Sequence, residues 1–307
     1  MDAETRTRRT GFLLGLGAYA TWGVLPIYFK AIDHVDAVEI VAHRVVWSLI
    51  FLAILATIAR KWPGIQAALT TPRVLLTLLA TSILIGANWL IWIWAVVSGH
   101  VLEGSLGYYL NPLVNVVMGV VLLKERLSRL QVAAVVLAGA GVAVLAAGAS
   151  GAIWISLSLA ITFATYGYLR KVAPVDSLEG LTVETGLLTP IAGAWILWVM
   201  SRGESGFLAG DVSTDALLVA AGAITAIPLL LFTGAARRLP YSTLGFLQYI
   251  APSLQFALAV LVYGERFTLA HAICFGAIWT ALAIFAFEGI RLARLSRRSP
   301  PGPATAP

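Results

Sequence analysis

Residues 130–169 read LQVAAVVLAGAGVAVLAAGASGAIWISLSLAITFATYGYL, forty positions without one Asp, Glu, Lys or Arg. A helix rises 1.5 Å per residue and the hydrocarbon core of a bilayer is ~30 Å thick, so about 20 apolar residues make one crossing. This stretch is therefore two crossings. The tight turn between them is expected in the small-residue segment 146–152, where Gly148, Ser150 and Gly151 interrupt the run. Working outward, eight further charge-free runs appear: 11–29, 45–59, 74–100, 104–123, 185–201, 216–236, 239–264 and 267–287. Nine runs, one of them double, predict ten transmembrane helices. The composition agrees. Of 307 residues 59% are hydrophobic and 12% are charged, about half the charge of a soluble domain, and the mean hydropathy is +0.88.

The loops orient the chain. With the N-terminus in the cytoplasm, 17 of the 21 Lys and Arg fall in cytoplasmic segments and three (Lys30, Arg202 and Arg266) in outer loops, leaving Arg44 inside a run. That asymmetry predicts cytoplasmic termini at both ends. It also accounts for the net charge of +6 without a nucleic-acid partner. The first run is longer than a signal-peptide core and no cleavage pattern follows it, so it is expected to be a retained helix. The single cysteine, Cys274, excludes an internal disulfide and any cysteine-cluster metal site. Its apolar run predicts a small buried hydrophobe.

The sequence repeats at an offset of 140. Val35-Asp36-Ala37-Val38-Glu39 falls on Val175-Asp176-Ser177-Leu178-Glu179, Pro112 on Pro252, Asn115 on Gln255, and Glu125-Arg126 on Glu265-Arg266. Five helices per copy is odd, so the second copy enters from the opposite face. The expected architecture is an all-α integral membrane fold of ten transmembrane helices in two inverted five-helix repeats, 11–149 and 150–290. A cytoplasmic segment 1–10 precedes them, and a basic, Pro-rich, disordered cytoplasmic tail 291–307 follows.

Five stretches are distinctive: Tyr19-Ala20-Thr21-Trp22-Gly23-Val24-Leu25-Pro26-Ile27-Tyr28-Phe29-Lys30, His43-Arg44-Val45-Val46-Trp47-Ser48, Asn88-Trp89-Leu90-Ile91-Trp92, Gly99-His100-Val101-Leu102-Glu103-Gly104 with the following Ser105 to Asn115, and Gly264-Glu265-Arg266. In them the chain resembles the EamA family of the drug/metabolite transporters, in its RarD branch. The resemblance spans about residues 11–290. It implies a ten-helix transporter of the bacterial inner membrane. The branch's link to chloramphenicol sensitivity names a phenotype and not a substrate.

Two runs, 45–59 and 185–201, are too short to cross unless extended toward their N-termini, and that extension draws Arg44 and Glu184 into the membrane. An intramembrane arginine costs at least ~2.5 kcal/mol at the bilayer centre, so it should face an interior. The two are expected near the midplane, as an ion pair or as binders of opposite charges of a zwitterionic solute; a permanent structural pair, or Arg44 snorkelling outward, is the bland reading. His43 and Glu184 are the candidate proton-coupling groups, with a packed histidine the commoner role for His43. Tyr108, Asn111 and Asn115 share a helix face beside Pro112, and Gln248 and Gln255 flank Pro252 in the same way. Pro26, Pro112 and Pro252 are expected kinks or hinges. Asn88 completes the expected substrate pathway. Of Trp89, Trp92 and Trp94 beside it, two are expected to face lipid or its interface. His100 and Glu103 are read as a solvated outer loop that could gate entry.

The sequence contains no His-Glu-x-x-His, no Gly-x-Ser-x-Gly and no P-loop. No enzymatic activity, cofactor or metal is expected, and Gly139-Ala140-Gly141 reads as helix packing. The function expected is secondary transport of a small organic solute (a metabolite, amino acid or drug-like compound), as exporter or exchanger. The alternative is a non-transporting receptor or assembly component. The expected partners are the solute, the lipid bilayer and a second copy in a homodimer.

Overall fold

Inside a bilayer no water is available to a backbone N–H or C=O, so an apolar run closes its hydrogen bonds internally as a helix. The computed structural model describes residues 3–124, 127–147, 152–236, 238–239 and 247–298, and those residues contain helices and their connections with no strand. In order the helices are α1 (Ala3–Lys30), α2 (Ala37–Ile58), α3 (Trp62–Thr70), α4 (Pro72–Val97), α5 (Val101–Leu123), α6 (Arg129–Ala147), α7 (Ile153–Val172), α8 (Ser177–Ser201), α9 (Val212–Ala236), α10 (Ile250–Ala257, continued by a π-helical turn Leu258–Val262) and α11 (Leu269–Arg298).

Seven of these are long and apolar enough to cross a bilayer: α2, α4, α6 and α8, together with Arg9–Lys30 of α1, Val212–Phe232 of α9 and Leu269–Glu288 of α11. The protein is an all-α, multi-pass membrane protein. The other three predicted crossings fall on α5, α7 and the shorter apolar segment Ile250–Val262. Helix α7 has the length to cross but carries Ser156, Ser158, Thr162, Thr165 and Tyr166, which lower its hydropathy. The turn expected at 146–152 lies mostly outside the described residues, as do Glu125-Arg126 and the end of the tail. Helix α3 has no counterpart in the sequence reading. Its nine residues lie between Lys61 and Arg73 and open with Trp62-Pro63, a favourable helix start.

Two compact units form. One comprises residues 1–109 and 154–265; the other comprises 110–153 and 266–307. In the first, α2 packs against α4, α8 and α9 around Val45, Leu52, Ile85, Trp89, Leu181 and Ala226. The ends of α2 and α8 show that the two run antiparallel. At the start of α2, Glu39 accepts from Ser205 Oγ (2.6 Å), Gly206 N (3.0 Å) and Phe207 N (3.3 Å), just beyond the end of α8. Just beyond the end of α2, Lys61 pairs with Asp176 and Glu179 at the start of α8. In the second unit α6 packs on α11; a Cβ on Gly141 would stand 2.7 Å from that of Ala277 and 3.3 Å from Cys274 Cα. Gly141 thus packs helices as expected, and Cys274 is buried and free.

Gly222 sets how closely α9 approaches α2, because a Cβ there would run into the backbone of Trp47. That backbone is locked in α2 and cannot yield. Gly222→Val is therefore expected to lower stability by about 1–3 kcal/mol through overpacking. Thermal unfolding of the purified protein checks this, and an unchanged midpoint would contradict the packing described.

Candidate functional site

Arg44 sits on the eighth residue of α2 and is 7% exposed. Its guanidinium carbon lies 4.3 Å from the centre of the Trp89 ring on α4 and 5.9 Å from that of Phe29 on α1. Tyr28 and Tyr108 are close enough to act on its charge. Nε has no hydrogen-bond partner, and no carboxylate of the described residues lies within 4.0 Å of the guanidinium. Among the described residues, Arg44 is held by aromatic rings alone.

Glu184, on the eighth residue of α8, is fully buried and richly partnered. Thr81 Oγ1 donates to one oxygen at 2.6 Å and Tyr166 OH to the other at 3.3 Å. Its cation is Arg170, whose Nε is 3.5 Å away. Gly180 leaves room for this arginine, since a Cβ there would overlap the guanidinium. Arg44 and Glu184 therefore do not pair. The physical reason is their height along two antiparallel helices. Each lies seven residues from the start of its own helix, about 10 Å at 1.5 Å per residue, on helices about 33–37 Å long. They enter from opposite ends and remain about 13 Å apart along the seam.

Asn88 is buried and bridges three neighbours. Its Nδ2 donates to Leu159 O (3.1 Å) and Thr162 Oγ1 (2.9 Å) on α7, and its Oδ1 accepts from Tyr108 OH at 3.4 Å. The Tyr108 ring stands edge-on to Trp92 and Phe163. Trp89 and Trp92 are both buried, whereas Trp94 is 38% exposed. One of the three tryptophans faces outward, not two, because α4 turns Asn88, Trp89 and Trp92 toward the packed interior. Gln255 is buried, gives Nε2 to Trp22 O at 3.1 Å and leaves Oε1 unpartnered; Gln248 is half-buried in the turn before α10. In the second unit Asn111 is buried, with an unpartnered Oδ1. The side chain of Asn115 lies outside the described residues. Pro26 lies inside α1 and Pro112 inside α5, and Pro252 is buried in the first turn of α10. His43 is buried; its Nδ1 accepts from Trp47 Nε1 at 3.2 Å, its Nε2 stands 3.9 Å from Glu39, and its ring faces Phe207.

Glu103 is buried in the first turn of α5 and not in a solvated loop. The loop carboxylate here is Glu265, which accepts from Val101 N (2.8 Å) and Leu102 N (2.7 Å). A carboxylate on these two N–H groups satisfies the orphan donors of the helix start and complements its dipole. Burial lifts the Glu265 carboxyl above the usual glutamate range, against the pull of those two bonds.

Residues 9–147 match the model of the EamA-like transporter family. Over 299 residues the chain is 46% identical to an uncharacterized transporter of Vibrio cholerae, covering 97% of this chain and 99% of the relative. Over 290 residues it is 45% identical to protein RarD of Escherichia coli, covering 94% and 97%. The chain belongs to the EamA-like transporter family, in its RarD branch. One solved structure aligns with a TM-score of 0.57 at 21% identity, over 89% of this chain and 96% of that one, a likeness of fold alone.

Within this EamA-like chain, sequence reading missed the three residues that hold Glu184. Arg170 follows directly on a charge-free run, where a basic residue reads as a cytoplasmic loop cation. Thr81 and Tyr166 are ordinary members of apolar runs. One signal was available: Arg170 lies four residues after Tyr166, on the same face of α7.

Proposed function

We propose that this protein is a secondary transporter that moves a small organic solute across the bacterial inner membrane by alternating access, as an exporter or exchanger. The observation that carries the reading is Arg44, a buried cation with no counter-charge among the described residues, set in helices built for lipid. Such a group is costly to maintain and is expected where a solute or ion passes. The family supports membrane transport, and no substrate follows from it.

The inverted repeat that alternating access needs has support in the helix register. Ala37 and Ser177, Pro72 and Val212, and Arg129 and Leu269 each begin a helix, and each pair is 140 residues apart. The members of the first pair, α2 and α8, run antiparallel, as inverted copies must. In this reading there are ten crossings and both termini are cytoplasmic. Arg44, Asn88, Tyr108, Gln248 and Gln255 line the route. Glu184 and His43 are the candidates for proton coupling.

The test is counterflow in proteoliposomes loaded with mixed organic acids, amino acids, nucleosides and amphipathic drugs. At least one labelled solute is expected to accumulate, and to stop accumulating in Arg44→Gln. Failure of every solute to move in either direction would sink the transporter reading.

A further inference from the structure

We infer that Arg44 is a recognition site for the carboxylate of an organic monoanion with a flat, apolar body. This rests on the transporter reading and names the class of substrate. Three observations lead to it.

The first is an energetic deficit. Burying one unpaired ion costs several kcal/mol even after relaxation. The ring contacts at 4.3 and 5.9 Å return about 0.5–2 kcal/mol. Aromatic faces alone therefore leave the cation under-compensated, and a bound anion would complete it.

The second is geometry. A guanidinium set against aromatic rings, which take up no N–H in a conventional hydrogen bond, keeps N–H donors for a ligand. The unpartnered Nε of Arg44 is one of them. An in-plane fork of donors matches the two oxygens of a carboxylate.

The third is the absence of a partner acid. Among the described residues, Glu184 is engaged by Arg170, Thr81 and Tyr166, and Glu39 by Ser205 and two backbone N–H groups. Arg44 is left without a carboxylate contact, which suits one bound negative charge. A phosphate monoester would bring close to two, and the ammonium of a zwitterion would find both of these carboxylates already hydrogen-bonded. The surroundings of Arg44 are Trp89, Phe29, Tyr28 and Tyr108, which favour a planar hydrocarbon body.

The experiment measures binding to the full-length protein in nanodiscs by competition and by thermal shift. Benzoate, phenylpyruvate and indole-3-acetate are the carboxylates. Benzamide is the neutral match, phenylalanine the zwitterion and phenyl phosphate the dianion. At least one carboxylate is expected to bind about 10- to 100-fold more tightly than benzamide, the range of a charge-assisted hydrogen bond. It should also outcompete phenylalanine and phenyl phosphate. Arg44→Gln should abolish this preference and Arg44→Lys should restore part of it, with both variants monodisperse and at least as heat-stable as wild type. The inference is overturned if no carboxylate binds, if benzamide, phenylalanine or phenyl phosphate binds as well, or if Arg44→Gln keeps the preference. Counterflow separates the two readings. Arg44-dependent carboxylate binding without movement of any solute removes the transporter and keeps the site. Movement indifferent to the carboxylate removes the site and keeps the transporter.

Discussion

Glu184→Gln is expected to destabilise the protein by about 3 kcal/mol, a fall of about 5 °C in melting temperature for a chain of this size. The substitution conserves shape and leaves an acceptor for Thr81. It removes the charge that faces Arg170, and Arg170 is largely buried. An uncompensated buried cation is the main source of the loss. The partner assignment then makes a sharper demand. Glu184→Gln and Arg170→Met should be strongly non-additive, with a coupling above about 1 kcal/mol, because the double variant removes both charges. Glu184→Gln and Arg44→Met should add within about 0.5 kcal/mol, as residues without shared partners do. A coupling of the second pair as large as the first would restore the direct Arg44–Glu184 pair that the geometry excludes.

Arg44→Met is expected to act in the opposite direction on stability and far more severely on function. Methionine fills the space between Trp89 and Phe29 and removes a buried charge that no acid balances. A gain of about 1–2 kcal/mol follows, smaller than the desolvation relieved because the ring contacts are lost too. Counterflow should fall to background in the same protein. A residue whose removal stabilises the fold and ends the activity is the pattern of a site held against stability. If Arg44→Met melts well below wild type, Arg44 serves packing and its assignment to the substrate route fails.

The all-helical, multi-pass character of the fold was legible because lipid leaves the backbone so few choices. Among the described residues the charge-free runs fall on helices, and α2 and α8, α4 and α9, and α6 and α11 begin 140 residues apart. What escaped were features that charge-free runs exclude by construction. Arg170 stands just past the end of such a run, where it reads as a loop residue, although its side chain turns back to Glu184. Helix α3, between Lys61 and Arg73, reads as connection. Arg44 is buried as expected, and of the alternatives open for it the direct pair with Glu184 is not formed. Counting residues from a helix start fixes depth to within a turn, and two residues near mid-membrane can still stand too far apart to meet. The tryptophans failed for a related reason: a Trp near Asn88 can face lipid or interior, and only the rotation of α4 decides.

The seam between α2 and α8 is fastened at both ends, and the two fastenings differ in kind. At one end a buried carboxylate holds backbone N–H groups. At the other, Lys61 meets Asp176 and Glu179 where water reaches them; Lys61 is 33% and Asp176 58% exposed. Exposed ion pairs of this sort hold by about 0–1 kcal/mol and fade as salt rises. One end is thus a rivet and the other a magnetic catch. Rising salt therefore loosens one end of this seam and leaves the other as it was.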